Sequence, residues 1–280
     1  MIYTGFADEA GSNIDLQIKA TKEMGWSCID VRLIDGVNVT DITDEQFEEV
    51  YKALCDNGIT VPCIGSAIAT ASRNPFNPED VQYCFDALAR IIPRMKKLGT
   101  KYIRGMAFAH QEDLPIEEQE KVIYPLMEKI VKICEENDIV YLCENCGGYS
   151  VYSYDILVKL AEHLQSENFK ILFDTGNPIV YLNHSGEKPY KLQNSWDAYL
   201  AMKEHIGYIH VKDWIADENG KVISRHFPGD GNADVEKILK DIIDSGYDGY
   251  MSIEPHMHNG YDGYIEYGRR TEAMVNKYIK

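Results

Sequence analysis

The hydrophobic pattern of the chain alternates between two periods from one end to the other. Short apolar runs of the β type are followed each time by a longer segment in which apolar residues recur at helical spacing. The predicted strands cover residues 2–7, 28–33, 59–65, 101–106, 139–144, 170–174, 207–211 and 249–254. The predicted helices cover about residues 14–24, 43–57, 77–98, 116–137, 153–165, 196–205 and 235–243, and a last helix follows strand eight.

Capping residues and prolines refine these helices. Thr43 and Gln46 stand at the spacing of a capping box, and Asn232 is expected to cap the helix that starts at residue 235. Pro93 and Pro125 fall inside helical patterns, where proline removes a hydrogen bond and predicts a kink or a restart.

Eight strands, each followed by a helix, predict a parallel sheet closed into a single (β/α)8 barrel. The repeat averages about 35 residues, and no linker or change of composition interrupts it, so residues 1–280 are expected to form one domain. No Gly-x-Gly-x-x-Gly follows the first strand, which disfavours a dinucleotide-binding fold. Residues 178–195 show no clear period and are expected to form a functional lid, and residues 214–225 a small hairpin.

Composition narrows the class of protein. The chain is 45% hydrophobic and 26% charged, which is typical of a globular protein with a large core. No apolar run reaches the roughly 20 residues that span a bilayer, and no signal segment is visible at the N-terminus. Seven scattered cysteines favour a reducing, cytoplasmic setting. A net charge of −17 disfavours nucleic acids and anionic membranes as partners and leaves small molecules, while oligomeric state stays open.

Four consecutive predicted strands end on, or reach, a side chain that can bind a metal ion. These residues are Glu144, Asp174, His210 and Glu254. They are separated by 30, 36 and 44 residues, about one strand–helix unit each, and the active site of such a barrel lies at the C-terminal ends of its strands. Three carboxylates meeting there would repel one another strongly unless a cation compensates them. We therefore predict one divalent ion: Mn²⁺, Mg²⁺, Co²⁺, Fe²⁺ or Zn²⁺.

A competing interpretation concerns Cys143 and Cys146, which form a C-x-x-C pair of the kind used in redox sites and zinc sites. Strand side chains alternate between faces, so Cys143 points away from the barrel mouth if Glu144 points into it. No second pair stands at zinc-site spacing, and the carboxylate interpretation is preferred.

Several segments of the chain resemble one known family over nearly the full length. They are residues 5–10 (GFADEA), 142–145 (LCEN), 173–177 (FDTGN), 209–213 (IHVKD), 229–231 (GDG) and 252–256 (SIEPH). They are similar to the sugar-phosphate isomerase/epimerase family, the xylose-isomerase-like barrel group that also holds ketose 3-epimerases, inosose dehydratases and apurinic endonucleases.

By this resemblance, the four residues named above match the metal ligands of the family, and Glu144 and Glu254 match its acid/base pair. One carboxylate would remove a proton next to a carbonyl and the other would return it, while the metal stabilises the ene-diolate. The resemblance thus implies an isomerase or epimerase of a sugar or sugar phosphate. A dehydratase of a keto-inositol or related polyol is the first alternative, and a barrel that binds sugar or metal without catalysis is the second.

Other polar residues at the predicted mouth are candidates for substrate binding. Arg32, Arg104 and Lys212 could bind a carboxylate or phosphate of the substrate, or form salt bridges to loop carboxylates. Trp214 could form an apolar wall over a sugar ring. Asn177 stands where ketose epimerases have a histidine, and it could hydrogen-bond a sugar hydroxyl.

Arg225 and His226 stand where relatives place groups that bind substrate or a second metal ion. The apurinic endonucleases are disfavoured because the early strands do not end on histidine and the chain is too acidic for DNA.

Overall fold

The computed structural model describes residues 1–279 and consists of alternating strands and helices. The strands are β1 (Ile2–Gly5), β2 (Leu33–Ile34), β3 (Val37–Asn38), β4 (Cys63–Gly65), β5 (Tyr102–Gly105), β6 (Val140–Glu144), β7 (Phe169–Asp174), β8 (Leu182–Asn183), β9 (Lys191–Leu192), β10 (Ile206–Val211), β11 (Asp213–Ala216), β12 (Val222–His226) and β13 (Tyr250–Ile253). The α-helices are α1 (Ile14–Glu23), α2 (Asp44–Asn57), α3 (Pro78–Leu98), α4 (Ile116–Glu135), α5 (Ile156–Leu164), α6 (Ser195–Met202), α7 (Val235–Asp244) and α8 (Gly260–Asn276).

Seven parallel strands form one sheet in the order β1-β13-β10-β7-β6-β5-β4. The predicted strand at residues 28–33 lies between the two ends of this sheet, where it pairs only through isolated parallel bridges. The Asp30 N–H donates to the Gly5 carbonyl at 3.1 Å on one side, and the Gly65 N–H donates to the Val31 carbonyl at 2.8 Å on the other. This irregular eighth strand closes the (β/α)8 barrel, so the predicted fold is confirmed.

The capping residues in the sequence predicted one helix start correctly and another incorrectly. Thr43 and Gln46 form the predicted capping box at the start of α2. Asn232 does not cap α7, because its side chain instead bonds both backbone groups of Ala216, accepting at 3.2 Å and donating at 3.1 Å. Asp234 precedes α7 with a left-handed backbone, φ 55°, and without a capping hydrogen bond.

Proline inside a helix had a smaller effect than expected. Pro93 lies within α3 and Pro125 within α4, and each helix continues through its proline, so neither restarts there. Among residues 1–279, no helix is both long and apolar enough to cross a membrane.

The loops at the C-terminal ends of the barrel strands carry three small hairpins. The hairpin predicted for residues 214–225 is confirmed as β11–β12, which pairs antiparallel. The aperiodic segment 178–195 contains a second hairpin, β8–β9, and a third, β2–β3, follows the irregular strand. These two were missed because strands of two residues are too short to show a period.

The barrel interior below these loops is filled by a small apolar cluster. Its fully buried members are Cys63, Leu142, Leu172 and Tyr208. The last three each precede a predicted metal ligand by two positions, and side chains two apart in a strand share a face. Glu144, Asp174 and His210 therefore point into the barrel, one layer above the apolar cluster.

Candidate metal centre

Four buried side chains converge at the mouth of the barrel, each from the end of a different strand. They are Glu144 of β6, Asp174 of β7, His210 of β10 and Glu254 directly after β13, and they are called the centre below. None is more than 1% exposed, and one potential ligand atom from each lies within 4.8 Å of the others. His210 Nδ1 lies 3.5 Å from Glu144 Oε1 and 3.4 Å from Glu254 Oε2.

The atoms of the centre fit a metal ion. Among the described residues, one carboxylate oxygen of each acidic side chain and both ring nitrogens of His210 are buried without a hydrogen-bond partner. Buried polar atoms in proteins are normally hydrogen-bonded, so such a cluster indicates a missing partner. Carboxylate oxygens and an imidazole nitrogen are ligands that divalent transition ions accept. The centre could hold one such ion, and its identity is not fixed by this donor set.

Buried cations of the protein surround the centre. Arg104 Nε lies 2.8 Å from Glu144 Oε2. Lys212 Nζ lies 2.9 Å from Asp174 Oδ2 and 2.7 Å from Glu254 Oε2. These close approaches are ion pairs. Their geometry does not form hydrogen bonds to the facing carboxylate oxygens, which therefore have no hydrogen-bond partner.

Arg32 supplies a third cation on the outer side of Glu254. One of its terminal nitrogens lies 2.7 Å from Glu254 Oε1, and the other lies 2.8 Å from Asp8 and 3.3 Å from Glu9. The carboxylates are thus compensated by the protein itself. The predicted compensation by a cation comes at least in part from these side chains, so the metal hypothesis depends on the unpartnered donor atoms.

Burial and charge act in opposite directions on the acids of the centre. Burial raises the pKa of Glu144, but the Arg104 guanidinium and the His210 ring together outweigh it and leave this pKa below its ordinary value. Burial is likewise outweighed at Glu254, mainly by Lys212, so its pKa lies well below the usual range. At Asp174 burial prevails over the Lys212 charge and raises the pKa to about 6. The two glutamates are therefore ionised at neutral pH, as a ligand and a base require.

The C-x-x-C pair takes no part in the centre. Cys143 is fully buried in the main core, with Sγ 3.9 Å from Ser150 Oγ, on the opposite strand face from Glu144. All seven cysteines are free, and within residues 1–279 no cysteine belongs to a group that could hold a metal ion. The carboxylate interpretation of this strand agrees with the structure.

The predicted substrate-binding residues divide into two sets by position. Arg32, Arg104 and Lys212 contact the carboxylates of the centre, as described above. Asn177 joins them, because Lys212 donates to its Oδ1 at 3.2 Å and its amide nitrogen donates to Glu144 Oε1 at 3.4 Å. Trp214 adjoins this group, since the Lys212 ammonium lies over its ring, 5.1 Å from the centroid.

Arg225 and His226 lie farther out, on β12. Arg225 is exposed and lies 5.8 Å from the Trp214 ring, while His226 Nε2 lies 2.6 Å from Ser224 Oγ. Among the described residues, no group that could hold a second metal includes His226. The second such group combines Glu9 and His256 with Glu254, and Arg32 already forms ion pairs with both of its carboxylates.

His256 was not proposed as a site residue from the sequence. Its Nε2 lies 3.3 Å from Glu254 Oε1 and its Nδ1 lies 3.3 Å from Glu9 Oε1, with a positive φ of 50°. The signal was present, since His256 follows Glu254 by two positions, but spacing alone does not show that the chain turns back toward the carboxylate after Pro255.

The Gly229-Asp230-Gly231 motif has a structural explanation in Asp213. The Asp213 carboxylate accepts hydrogen bonds from the backbone N–H groups of Gly229 at 2.8 Å, Gly231 at 3.0 Å and Ala233 at 3.3 Å. An added Cβ on Gly231 would overlap that carboxylate. The motif therefore ties the loop after β12 to Asp213 at the start of β11, three residues after His210.

Comparisons with known proteins agree with this architecture. The model of the xylose isomerase-like TIM barrel family matches residues 18–274. An inosose dehydratase of Clostridium beijerinckii is 26% identical over 211 residues, which cover 66% of this chain and 66% of the dehydratase.

Two solved structures share the fold. The zinc-bound IOLI protein superimposes with a TM-score of 0.78 and 16% identity, covering 100% of both chains. D-psicose 3-epimerase of Clostridium cellulolyticum H10, solved with D-tagatose, has a TM-score of 0.66 and 15% identity, covering 99% of this chain and 98% of the epimerase. Because the family model covers nearly the whole sequence, the chain belongs to the xylose isomerase-like TIM barrel family.

Proposed function

We propose that the chain is a divalent-metal-dependent isomerase or epimerase of a sugar, which transfers a proton at a carbon next to a carbonyl. The observation that carries this proposal is the placement of Glu144 and Glu254 together at His210, with an oxygen of each within 3.5 and 3.4 Å of Nδ1. Both glutamates are ionised at neutral pH, so one can take a proton while the other, once protonated, returns one.

The four residues of the centre would hold the metal, which when bound would polarise the substrate carbonyl and stabilise the negative charge that develops next to it. Glu144 and Glu254 would act on the reacting carbon from two sides. Arg104 fixes Glu144, and Lys212 fixes Glu254, so each carboxylate has a defined position before substrate arrives. Asn177, which links Lys212 to Glu144, is placed to bind a substrate hydroxyl.

The relatives support proton transfer at a carbon next to a carbonyl. D-psicose 3-epimerase is an epimerase by its name, and it shares the fold with this chain. Trp214, which lies over the Lys212 ammonium, is suited to pack against a sugar ring as that substrate class requires. Inosose and the ketoses also share a carbonyl beside a carbon that bears hydrogen and hydroxyl.

Dehydration of a keto-polyol is the second candidate, because the Clostridium beijerinckii relative is named inosose dehydratase. Both reactions begin with removal of a proton next to a carbonyl. They differ in the next step: an epimerase or isomerase returns a proton to carbon, whereas a dehydratase releases a hydroxyl group as water.

The test is turnover in deuterated water with Mn²⁺, Zn²⁺ or Mg²⁺ added, over a panel of ketoses, aldoses, their phosphates and inosose. The proposal expects a product of unchanged composition that carries deuterium on carbon. Loss of one water from the product would establish the dehydratase instead. If a metal binds but neither this panel nor a set of glycosides exchanges or reacts, the chain is a non-catalytic binding barrel.

A matched pair of variants tests whether turnover depends on the centre. Glu254→Gln removes one ionisable carboxylate and is expected to abolish deuterium exchange. Glu266→Gln, on the exposed face of α8 where Glu266 pairs with Arg270, is expected to behave as the unaltered protein. Full metal content and full turnover in Glu254→Gln would disprove the assigned role.

A further inference from the structure

Next to the centre lies a cavity of about 280 Å³ that the proposed chemistry does not use. It is formed by the loops that follow β4, β5, β6 and β7, at the same end of the barrel as the centre. Its main polar and aromatic lining consists of His110, Glu112, Tyr152, Tyr181 and His184.

Three of the lining rings contact one another and form an aromatic cluster in the cavity wall. Tyr152 stacks on His184 with centroids 4.8 Å apart and planes 27° apart, and His110 lies 5.0 Å from Tyr152. Tyr190 supports His184 from behind at 4.5 Å. The His184 N–H donates to the Tyr152 carbonyl at 2.8 Å, which fixes the two loops to each other. The rings are thus positioned before any ligand binds.

The cavity is suited to an uncharged ligand with hydroxyl groups. Burial lowers the pKa of His110 and of His184 below the ordinary value, so both imidazoles are neutral at pH 7. A neutral imidazole offers one donor and one acceptor, as a sugar hydroxyl does. Among the described residues that line the cavity there is no lysine or arginine, and Glu112 would repel a phosphate. Lys188 approaches only from the outer side, over Tyr190 at 5.6 Å.

The cations at the centre do not offer a phosphate site either. Arg32, Arg104 and Lys212 are each within 3 Å of a carboxylate oxygen of the protein. Arg225 has no ion pair among residues 1–279, but it is exposed on β12 and does not line the cavity.

Tyr181 connects the cavity to the centre. It lines the cavity, and its hydroxyl lies beside the loop after Glu144, 3.7 Å from the position of a Cβ on Gly147. Burial raises the pKa of Tyr181, and the nearby charges of Glu144 and Asp174 add to this effect. Gly148, four residues after Glu144, forms part of the cavity wall. A molecule that occupies both places would therefore pass Tyr181.

We propose that this cavity binds a second, unphosphorylated sugar ring, so that the substrate is a glycoside or disaccharide whose reacting ring sits at the centre. The inference rests on the proposed function, since it extends the same substrate beyond the reacting ring. Aromatic surfaces pack against the apolar face of a pyranose, while the two neutral imidazoles and the Tyr181 hydroxyl bond its hydroxyl groups.

The experiment measures binding, independently of turnover, by calorimetry on the Mn²⁺-loaded protein. The probes are methyl β-D-glucoside, methyl β-D-galactoside, cellobiose, lactose and glucose 6-phosphate. At least one disaccharide is expected to bind about two- to tenfold more tightly than its methyl glycoside, the range that one aromatic contact provides. The proposal is overturned if no disaccharide shows this gain, or if glucose 6-phosphate binds more tightly than every neutral probe.

Variants of cavity residues test whether the gain in disaccharide affinity arises in the cavity. His184→Ala is expected to remove the preference for the disaccharide and to leave the affinity for the methyl glycoside unchanged. His163→Ala is the matched control, because His163 lies outside the cavity and pairs with Glu128. If His184→Ala fails to fold by circular dichroism, His110→Ala serves in its place. A preference for disaccharide that survives in a folded cavity variant contradicts the assignment.

Failure of this inference and failure of the proposed function are distinguishable. A gain in disaccharide affinity without deuterium exchange in any sugar would support the second-ring site and disprove the proposed reaction. Deuterium exchange in a monosaccharide without any gain for disaccharides would support the reaction and disprove the second-ring site.

Discussion

The ammonium nitrogen of Lys212 lies 2.7 Å from Glu254 Oε2, the same oxygen that lies 3.4 Å from His210 Nδ1. Lys212 also pairs with Asp174 at 2.9 Å and is only 1% exposed. The protein thus places its own cation against two of the four side chains of the centre. A bound metal would share these carboxylates with Lys212, so the lysine stabilises the metal-free protein and would compete with the metal.

Replacing Lys212 by Met therefore has two expected effects. The metal-free protein loses about 3–5 kcal/mol of unfolding free energy, because two buried carboxylates lose their partner. The stabilisation produced by added Mn²⁺ becomes larger than in the unaltered protein, since the competing cation is gone. Denaturant unfolding with and without Mn²⁺ measures both quantities.

Lys170→Met is the control, because Lys170 pairs with the exposed Glu167 and its loss is expected to cost less than about 1 kcal/mol. A Lys212→Met protein that is as stable as the parent, or that gains less from Mn²⁺, would contradict the relationship described.

Gly148 is expected to tolerate no side chain. Its φ is 59°, and an added Cβ would overlap the Phe108 carbonyl oxygen. Gly148→Ala should lower the unfolding free energy by at least about 1–3 kcal/mol, the usual penalty of a left-handed backbone at a non-glycine residue. Gly186→Ala, where φ is not positive and nothing lies within 4 Å, should change it little. Equal urea midpoints for the two variants would refute this explanation.

The contribution of Asp30, in the barrel interior, to the unfolding free energy is expected to fall as pH rises. Burial raises its pKa to about 6, although Ser252 and Tyr208 donate hydrogen bonds to its carboxylate. The folded state therefore binds this proton more tightly than the unfolded state, whose aspartate titrates near 3.9. The stabilisation is present below about pH 4 and is lost as pH rises through 6.

Comparison with Asp30→Asn isolates this titration. The unfolding free energy of the parent minus that of the variant should fall by roughly 2–3 kcal/mol between pH 4 and pH 7. Asp241→Asn should give a slope of the opposite sign that falls mainly below about pH 4, because hydrogen bonds from Lys203 and Tyr199 lower the pKa of Asp241. A flat or rising difference for Asp30→Asn would show that its pKa is not raised.

The centre could be predicted from the sequence because the end of each strand determines where its last side chains lie in the barrel. In a barrel of alternating strands and helices, residues such as Glu144 and Asp174 must meet at one end once their strands are identified. The irregular strand at residues 28–31 could also be predicted, because its apolar run is intact although it pairs only through isolated bridges.

What the sequence could not provide was the direction of side chains on loops. Arg32 and Lys212 were recognised as mouth residues, but their partners depend on distances that no spacing encodes. His256 turns back toward Glu254 through a positive φ, and Asn232 bonds Ala216 across a hairpin instead of capping a helix. In each case a tertiary contact determined the outcome.

The central claim is that the centre binds one divalent ion, and metal binding itself tests it most directly. Calorimetric titration of chelator-treated protein with Mn²⁺ and Zn²⁺, supported by elemental analysis, should give about one ion per chain for the parent and for Asp248→Asn, an exposed control. Asp174→Asn should weaken binding at least about tenfold. Absence of binding in the parent, or equal affinity in Asp174→Asn, would contradict the claim.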